Sequence, residues 1–202
     1  MKAILFGTTN NAKIKQIEGA LAPAHIIVKG ITDKGLLPTV DENGKTAAEN
    51  AHKKAIAYAK TLGEPVFSMD NALYINGLPP ENQPGLNVRR INGYPNISSD
   101  EQMLKYYSDL ILGLGGEVGG YWEFGLCIAT PEGKTWETTI KSPRTFTAQP
   151  SPQIVEGYPL DSIQIDPESG KYLSEMTQPE RDLFWQKTIG QPLLKFFRSV
   201  DI

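Results

Sequence analysis

Residues 40 to 70, which read VDENGKTAAENAHKKAIAYAKTLGEPVFSMD, constrain the fold of this chain more than any other stretch. From residue 46 to about 62, small and apolar residues recur at helical spacing, which predicts a helix with one buried stripe. Gly63 predicts the end of this helix, because glycine is the usual C-cap residue. Val66 to Ser68 then predicts a short buried strand, with Asp70 at its end. The stretch therefore predicts a loop, a helix and a strand that carries a carboxylate.

Other stretches add further strands and helices in alternation. The predicted elements are a strand over Lys2 to Phe6, a helix around Ile14 to Leu21, a strand over His25 to Val28, a helix over residues 97 to 112, a hairpin of Tyr121 to Thr130 with Lys134 to Thr145, and a closing helix from Gln178 to Phe197 that is bent near Gly190. Alternation followed by a hairpin predicts an α/β fold with a mixed central β-sheet flanked by helices.

Composition and charge exclude several classes of function. The chain has 202 residues, a formal net charge of -3 and a pI near 5.5, so it has no net basic field to attract a nucleic acid polymer. The apolar run from Ala3 to Phe6 is far too short for a signal peptide or a membrane span. The single cysteine, Cys127, cannot form an intramolecular disulfide, which is compatible with a reducing compartment. We therefore expect one cytoplasmic domain over residues 1–202 with neither a nucleic acid nor a membrane partner.

Two carboxylates are candidates for chemistry, and each also has a structural explanation. Glu49 lies three residues after Thr46, which is the pattern of a capping box at a helix start. Asp70 lies where a scaffold often presents functional side chains, although aspartate is also a common turn residue. Carboxylate oxygens are ligands that Mg²⁺ prefers, so the pair predicts a magnesium ion that carries a polyphosphate.

Cationic side chains and backbone amides supply matching contacts for phosphate. Lys13 lies in the first turn of a predicted helix that follows the polar turn of residues 8 to 11. Such a helix start binds an anion or is simply capped by its own side chains. Lys54 and Arg90 are further cationic candidates, although a lone charge of this kind is more often a solvated surface group. The sequence contains neither a P-loop nor a glycine-rich dinucleotide motif.

Several segments match, in order, the motifs of one family. Residues 8 to 13 (T-T-N-N-A-K) align with the family motif T-G-N-x-G-K, which follows an apolar strand. Residues 42 to 51 (E-N-G-K-T-A-A-E-N-A) align with the family motif E-x-G-x-T-F-x-E-N-A. Lys54 follows at the expected spacing, residues 69 to 73 (M-D-N-A-L) stand at D-D-S-G-L, and Arg90 ends the counterpart of P-G-x-x-S-A-R. The sequence therefore resembles the inosine triphosphate pyrophosphatase family, whose members remove non-canonical purine nucleotides such as ITP, dITP and XTP.

This resemblance implies a fold, a reaction and a set of site residues. It implies an elongated, two-lobed single domain with a cleft between the lobes, and a homodimer. It also implies Mg²⁺-dependent hydrolysis of a nucleoside triphosphate, in which water attacks the α-phosphate and gives a monophosphate and pyrophosphate. Glu49 and Asp70 would hold the metal, and Asp70 would be the catalytic residue that activates water. The residues implied to bind substrate are Thr8, Asn10, Lys13, Lys54, Asn71, Arg90, Asp161, Trp185, Gln186 and Lys187.

Some positions depart from the family pattern. Met69 replaces the first aspartate of D-D-S-G-L, and the S-H-R segment that frames the purine falls on residues 185 to 187 (W-Q-K). Lysine in place of the arginine removes a planar bidentate donor, so an altered base preference is expected. Trp185 stacks on a base or is a buried helix residue. These departures keep open a second hypothesis, a catalytically weakened relative that binds a nucleotide as a sensor or regulatory module.

Overall fold

The computed structural model describes residues 3–31, 35, 37–90 and 98–201. Its strands are β1 (Ala3–Phe6), β2 (Ile27–Gly30), β3 (Val66–Ile75), β4 (Glu117–Ala129), β5 (Thr135–Thr147) and β6 (Gln164–Ile165). Its α-helices are α1 (Asn11–Leu21), α2 (Ala47–Leu62), α3 (Asp100–Gly113), α4 (Gln178–Trp185) and α5 (Gln191–Ser199). The predicted helix start at residue 97 and part of the loop after β2 lie outside the described residues.

The six strands form one sheet in the order β2-β1-β3-β4-β5-β6. β1 pairs in parallel with β2 and with β3, whereas β5 pairs with β6 in antiparallel orientation. A tight turn joins β4 to β5, and in it the Thr130 N–H donates to the carbonyl of Lys134. The predicted mixed sheet flanked by helices is therefore confirmed. The predicted hairpin is also present, with strands that extend further than predicted away from the turn and stop one residue short of the prediction at the turn. The elongated two-lobed outline with its cleft stays a prediction.

Strand β3 is longer than the sequence predicts. The prediction ended it near Ser68, but it continues to Ile75 because Ala72, Leu73 and Ile75 are all buried. Asp70 therefore lies within the strand and not at its end. β1 pairs only with the first residues of β3, up to Phe67. The Asp70 side chain consequently lies beyond the stretch of β3 that β1 covers.

Helix α2 has the predicted caps and the predicted buried stripe. Thr46 is its N-cap, and Gly63 at φ 70° is its left-handed C-cap. Four alanines of the stripe are buried, which are Ala47, Ala51, Ala55 and Ala59. A Cβ atom added to Gly125 of β4 would lie 2.1 Å from the backbone nitrogen of Ala48. The start of α2 thus lies directly on β4, which fixes the position of the residues that α2 presents.

The closing helix is interrupted as predicted, although the interruption begins earlier. α4 ends at Trp185, and a π-helical turn over Gln186–Gly190 leads into α5. Pro192 lies in the first turn of α5, where its missing N–H costs little. The bend therefore includes the Gly190 region but starts at residue 186. Among the described residues, none of the helices has the length and apolar character needed to cross a membrane.

The chain divides into two compact units. The first comprises the described residues of Met1–Asn71, Glu123–Lys141 and Asp182–Ile202, and the second comprises Ala72–Trp122 and Ser142–Arg181. One apolar cluster of the first unit packs Ala51, Ala55 and Ala59 of α2 against three residues of the sheet, Val66, Cys127 and Ala129. The second unit is built on a cluster around Leu73, Tyr107 and Phe146.

Candidate active site

The carboxylate of Asp70 is held by two side chains of α2. Its Oδ2 accepts a 2.9 Å hydrogen bond from Nδ2 of Asn50, and its Oδ1 lies 3.3 Å from Nζ of Lys54. The Asp70 side chain is only 15% exposed. A carboxylate removed this far from water needs such partners, because burial of an unpaired charge is costly. Asp70 and Lys54, both predicted site residues, are therefore brought together by the fold.

Asn50 links Asp70 to the loop that precedes α2. Its Oδ1 accepts a 2.8 Å hydrogen bond from the backbone N–H of Gly44, while its Nδ2 donates to Asp70. Asn50 is 2% exposed, so both of its contacts lie away from water. A Cβ atom at Gly44 would lie 2.6 Å from Oδ1 of Asn50, so glycine permits this close approach. The asparagine fixes the loop and the catalytic candidate in one arrangement.

Three further contacts tie this loop to α2. Lys54 Nζ donates a 3.0 Å hydrogen bond to Oε2 of Glu42, so one buried ammonium lies between the carboxylates of Glu42 and Asp70. Lys53 Nζ donates to Oδ1 of Asn43. The Lys45 backbone N–H donates a 2.7 Å hydrogen bond to Oε2 of Glu49. The loop residues 42 to 45 are thus anchored through both side chains and backbone.

Glu49 completes only half of the predicted capping box. Thr46 Oγ1 accepts a 3.1 Å hydrogen bond from the Glu49 N–H, as the pattern predicts. The Glu49 carboxylate, however, accepts from Lys45 and not from the backbone of the cap residue Thr46. At the start of α3, by contrast, Ser99 and Gln102 form the complete reciprocal box. Glu49 is exposed, so it stabilises the helix start while its carboxylate remains accessible.

The pKa of Lys13 depends on its burial and on the charges of Lys54, Asp70 and Glu42. Burial lowers the pKa of its ammonium, the nearby charge of Lys54 lowers that pKa further, and Asp70 and Glu42 act in the opposite direction. Two lysines near one another are unfavourable unless anions lie between or beside them. Lys13, Lys54 and the two carboxylates therefore form one charged cluster, which we call the Asp70 cluster.

The turn before α1 is capped by its own side chains. Thr8 Oγ1 accepts a 3.1 Å hydrogen bond from the Asn10 N–H, and Asn10 Oδ1 accepts a 3.3 Å hydrogen bond from the Lys13 N–H. A Cβ atom at Gly7 would lie 2.6 Å from the ring of Tyr58 on α2, so this turn packs closely against α2. The capped helix start is what the structure describes, and phosphate binding by Thr8 and Asn10 stays a prediction.

Met69 and Asn71 lie on the other face of β3 from Asp70. Successive side chains of a strand point to opposite faces, so the neighbours of Asp70 in sequence are not its neighbours in the cluster. Met69 is 3% exposed and belongs to the apolar interior. Asn71 Oδ1 is buried and accepts no hydrogen bond from the residues that the structure describes. Substrate binding by Asn71 remains a prediction.

Two predicted binding residues belong to the second unit. Arg90 is exposed, whereas its neighbour Arg89 is bound to Asp100 at 2.9 Å and to the carbonyl of Gly157 at 2.8 Å. Arg90 is thus the more exposed of these two arginines. Its binding of phosphate stays a prediction.

Asp161 is a buried carboxylate of the same unit. Its Oδ2 accepts a 3.2 Å hydrogen bond from Nη1 of Arg181, and its Oδ1 accepts a 3.4 Å hydrogen bond from Nε2 of Gln164. Burial raises the pKa of Asp161 to about 6, and the charges of Arg181 and Arg144 oppose that rise. The sequence did not predict Arg181 as its partner, because the two residues are far apart in the chain.

Trp185, Gln186 and Lys187 lie where α4 gives way to the π-helical turn. The Trp185 ring packs edge-to-face on Phe184 with centroids 5.1 Å apart, and Trp185 is partly buried. Gln186 Nε2 donates a 3.1 Å hydrogen bond to the carbonyl of Gly19 in α1. The described contacts of Trp185 and Gln186 are thus packing contacts within the first unit, and base recognition by this segment stays a prediction.

The carboxylate oxygens of Asp70 suit a hard divalent cation. Each makes a single described contact and so retains acceptor capacity. Glu49, in the first turn of α2, offers a further exposed carboxylate, and its sharing of a metal ion with Asp70 stays a prediction. Glu42, Asn50 and Tyr58 belong to the same neighbourhood but were not predicted as site residues. The matched segment E-N-G-K-T-A-A-E-N-A contains Glu42 and Asn50, so the motif itself was the available signal.

Comparison with known proteins gives a consistent picture. The sequence pattern of the Ham1 family matches residues 4–184. A dITP/XTP pyrophosphatase of an Exiguobacterium species is 30% identical over 194 residues, which cover 95% of this chain and 93% of that protein. A dITP/XTP pyrophosphatase of Mesorhizobium japonicum is 27% identical over 185 residues, covering 89% of this chain and 82% of that protein.

Solved structures share the fold. A HAM1 protein from Coxiella burnetii superposes with a TM-score of 0.73 at 18% identity and covers 99% of this chain and 100% of its own. At that identity the likeness concerns the fold alone. The match of the family pattern over most of the sequence, together with relatives that align along nearly their whole length, establishes that this chain belongs to the Ham1 family.

Proposed function

We propose that this chain is a nucleoside triphosphate pyrophosphatase that converts non-canonical purine nucleotides such as ITP, dITP or XTP to the monophosphate and pyrophosphate. The names of its relatives support this activity. The observation that carries the proposal is the Asp70 cluster, in which a shielded carboxylate lies beside buried cationic charge. A polyphosphate needs that positive charge before a water molecule can attack it, and the water needs a base.

We propose Mg²⁺ as the cofactor, held by Glu49 and Asp70. The oxygen donors of this pair match the preference of Mg²⁺. When bound, the ion would neutralise phosphate charge at the reacting centre. The lysines of the cluster would repel a bare cation, so we expect the ion to bind together with its triphosphate.

The protein groups have separate roles in this proposal. Asp70 accepts the proton of the attacking water, and Asn50 and Lys54 keep its carboxylate in position. Lys13 and Lys54 bind phosphate oxygens, because each ammonium group carries a positive charge and three hydrogen-bond donors. Thr8, Asn10, Asn71 and Arg90 are proposed as further substrate contacts.

Asp161 and residues 185 to 187 are each proposed as substrate-binding residues. A lysine at position 187 offers a point charge where the family pattern has a planar arginine fork, so we propose an altered preference among purine bases. Trp185 offers an aromatic surface, and stacking on such a surface accepts every base. Asp161, a buried carboxylate held by Arg181, is proposed as a further substrate contact.

A panel of nucleotides tests this function. The purified chain is incubated with ITP, dITP, XTP and the standard nucleotides, with and without Mg²⁺, and pyrophosphate and monophosphate are measured. The proposal expects equal amounts of both products from at least one deaminated purine triphosphate, and only with the divalent ion. Release of orthophosphate, or no product from any nucleotide, would contradict it.

A second candidate is a nucleotide-binding sensor or regulatory module of the same fold. Met69 at the position of the first motif aspartate favours it, since one carboxylate of the family pattern is missing. Against it, Met69 lies on the opposite face of β3 from Asp70. Calorimetry separates the two functions, because tight nucleotide binding without turnover supports only the module.

We also propose a cytoplasmic homodimer formed by single-domain chains of residues 1–202, with no nucleic acid or membrane partner. The net charge of -3 supports the absence of a nucleic acid partner. Light scattering of the purified protein tests the dimer, with a monomeric mass as the contrary result.

A further inference from the structure

A second cluster of ligating side chains lies in the first unit, outside the Asp70 cluster. His52 on α2, Cys127 on β4 and Glu137 on β5 each offer one ligand atom, and these atoms all lie within 4.8 Å of one another. Nδ1 of His52 is 2.6 Å from Oε1 of Glu137. His52 and Glu137 are partly exposed, whereas Cys127 is fully buried beneath them.

The fold brings these residues together from three separate elements. The hydrogen bond between Thr130 and Lys134 closes the hairpin, so residues equally distant from the turn, such as Cys127 and Glu137, are neighbours across β4 and β5. The close contact of α2 with Gly125 keeps the helix against β4. His52 lies one helical turn beyond Ala48, the residue at that contact, and so reaches the same region.

The three donor types suit a metal of intermediate softness. Imidazole nitrogen, thiolate sulfur and carboxylate oxygen are the ligands of Zn²⁺, at about 2.0 to 2.3 Å from the ion. In a tetrahedral site such ligands are roughly 3.3 to 3.8 Å apart. The His52 and Glu137 atoms, 2.6 Å apart, need to separate by about 1 Å, and both need to approach the Cys127 sulfur to within that spacing from separations of up to 4.8 Å. Both side chains are partly exposed and have room for this movement. Their exposure also leaves the fourth position open to water.

We propose that His52, Cys127 and Glu137 form a binding site for a Zn²⁺-class transition metal ion, separate from the Mg²⁺ site assigned to Glu49 and Asp70. The alternative is a partly exposed ion pair beside a cysteine that only fills the apolar cluster of the first unit. At this exposure such an ion pair contributes little stabilisation, so it does not by itself account for the placement of His52 and Glu137 beside the thiol. Metal binding displaces the thiol proton to solvent and forms a metal–sulfur bond. The site does not depend on the proposed hydrolysis, because none of its residues belongs to the Asp70 cluster.

Cobalt(II) is the probe, because a cobalt–thiolate bond produces a charge-transfer absorption in the near ultraviolet. Chelator-treated protein is titrated with Co²⁺ in the presence of Mg²⁺, and Zn²⁺ is then added as a competitor. We expect a saturable band that corresponds to one ion per chain and disappears when Zn²⁺ is added. Because the chain has a single cysteine, such a band reports Cys127 alone.

Variants distinguish the three-residue site from a lone thiol. His52→Gln and Glu137→Gln change partly exposed residues, so both variants should fold, and each should weaken Co²⁺ binding by about tenfold or more. His25→Asn is the matched control, since the chain has only two histidines and His25 is exposed elsewhere in the first unit. Cys127→Ser should abolish the band.

Three results would overturn the site. These are a wild-type protein without a thiolate band, a band that His52→Gln and Glu137→Gln leave unchanged, and equal weakening by His25→Asn. Pyrophosphate release measured in parallel keeps the tests separate, because loss of the nucleotide activity would not remove the cobalt band.

Discussion

Asn50 donates a 2.9 Å hydrogen bond from Nδ2 to Oδ2 of Asp70, and its Oδ1 simultaneously accepts from the backbone of Gly44. One buried amide thus sets the position of the proposed base relative to the loop before α2. A carboxylate that must accept a proton in a single geometry benefits from such a fixed partner.

Asp70→Asn should reduce turnover strongly without unfolding the protein. The amide keeps the size of the side chain but cannot act as a base, so kcat should fall by about 10²- to 10⁴-fold. Pyrophosphate release and thermal unfolding are the measurements. Asp109→Asn, an exposed carboxylate on α3, is the control and should retain full activity. Undiminished turnover in Asp70→Asn would exclude Asp70 as the base.

Asn50→Ala should lower both stability and kcat. It leaves the Gly44 N–H and one Asp70 oxygen without their partner, which should cost about 1 to 3 kcal/mol in the free energy of unfolding. Because Asn50 acts through Asp70, kcat should fall while KM changes little. Asn82→Ala, at an exposed amide of the second unit, should alter neither quantity. A change in KM alone would show that Asn50 is not a positioning residue.

Lys54→Met should destabilise the fold through Asp70. The substitution leaves a shielded carboxylate without its cation, whereas Lys60→Met removes an exposed charge of the same helix. We expect a lower melting temperature for Lys54→Met alone. Combining it with Asp70→Asn should recover part of the loss, because the orphaned charge is then absent. Strict additivity in this double-mutant cycle would contradict the coupling.

The KM for nucleotide should rise at alkaline pH because Lys13 loses its proton there, and we call this rise the alkaline limb of the pH profile. Burial and Lys54 lower its pKa, so its ammonium loses its proton at a lower pH than an ordinary lysine does. As pH rises through that lowered value, a cation that binds phosphate is lost and KM should increase. Lys13→Arg keeps its charge and should move the limb to higher pH. An unchanged profile in Lys13→Arg would assign the limb to another group.

Asp161 should make the wild-type stability fall between about pH 4 and pH 6. Its pKa is about 6 in the fold because of burial, against about 3.9 in an unfolded chain. The unfolded state therefore loses this proton first as pH rises, which lowers the free energy of unfolding by about 3 kcal/mol over that window. Urea unfolding of Asp161→Asn should lack this decrease. Equal pH dependence in wild type and variant would contradict the assignment, and Asp109→Asn is the surface control.

Sequence patterns correctly predicted helix ends and the hairpin turn, because interactions between residues close in sequence determine these features. Thr46 and Gly63 marked the ends of α2, and the turn between Thr130 and Lys134 marked the hairpin. The predicted end of β3 was wrong. The strand continues because burial of Leu73 and Ile75 in the fold outweighs the tendency of the polar residues before them to form a turn. The π-helical turn at Gln186–Gly190 has no simple sequence signal.

The partners of the site residues could not be predicted in the same way. Asn50 reaches Asp70 across 20 positions, and Glu42 reaches Lys54 across 12, distances at which spacing carries no geometric information. The order of the motifs placed Asp70 and Lys54 among the site residues. Only the fold shows that the side-chain amide of Asn50 links the loop before α2 to Asp70 on β3. The cluster of His52, Cys127 and Glu137 was missed for the same reason.

A crystal structure with Mg²⁺ and a non-hydrolysable dITP analogue tests most directly whether Glu49 and Asp70 hold one metal ion beside a triphosphate. We predict a metal ion bound to oxygens of both carboxylates, with phosphate oxygens against Lys13 and Lys54. A triphosphate bound elsewhere, or a metal ion that contacts neither carboxylate, would contradict the proposed active site.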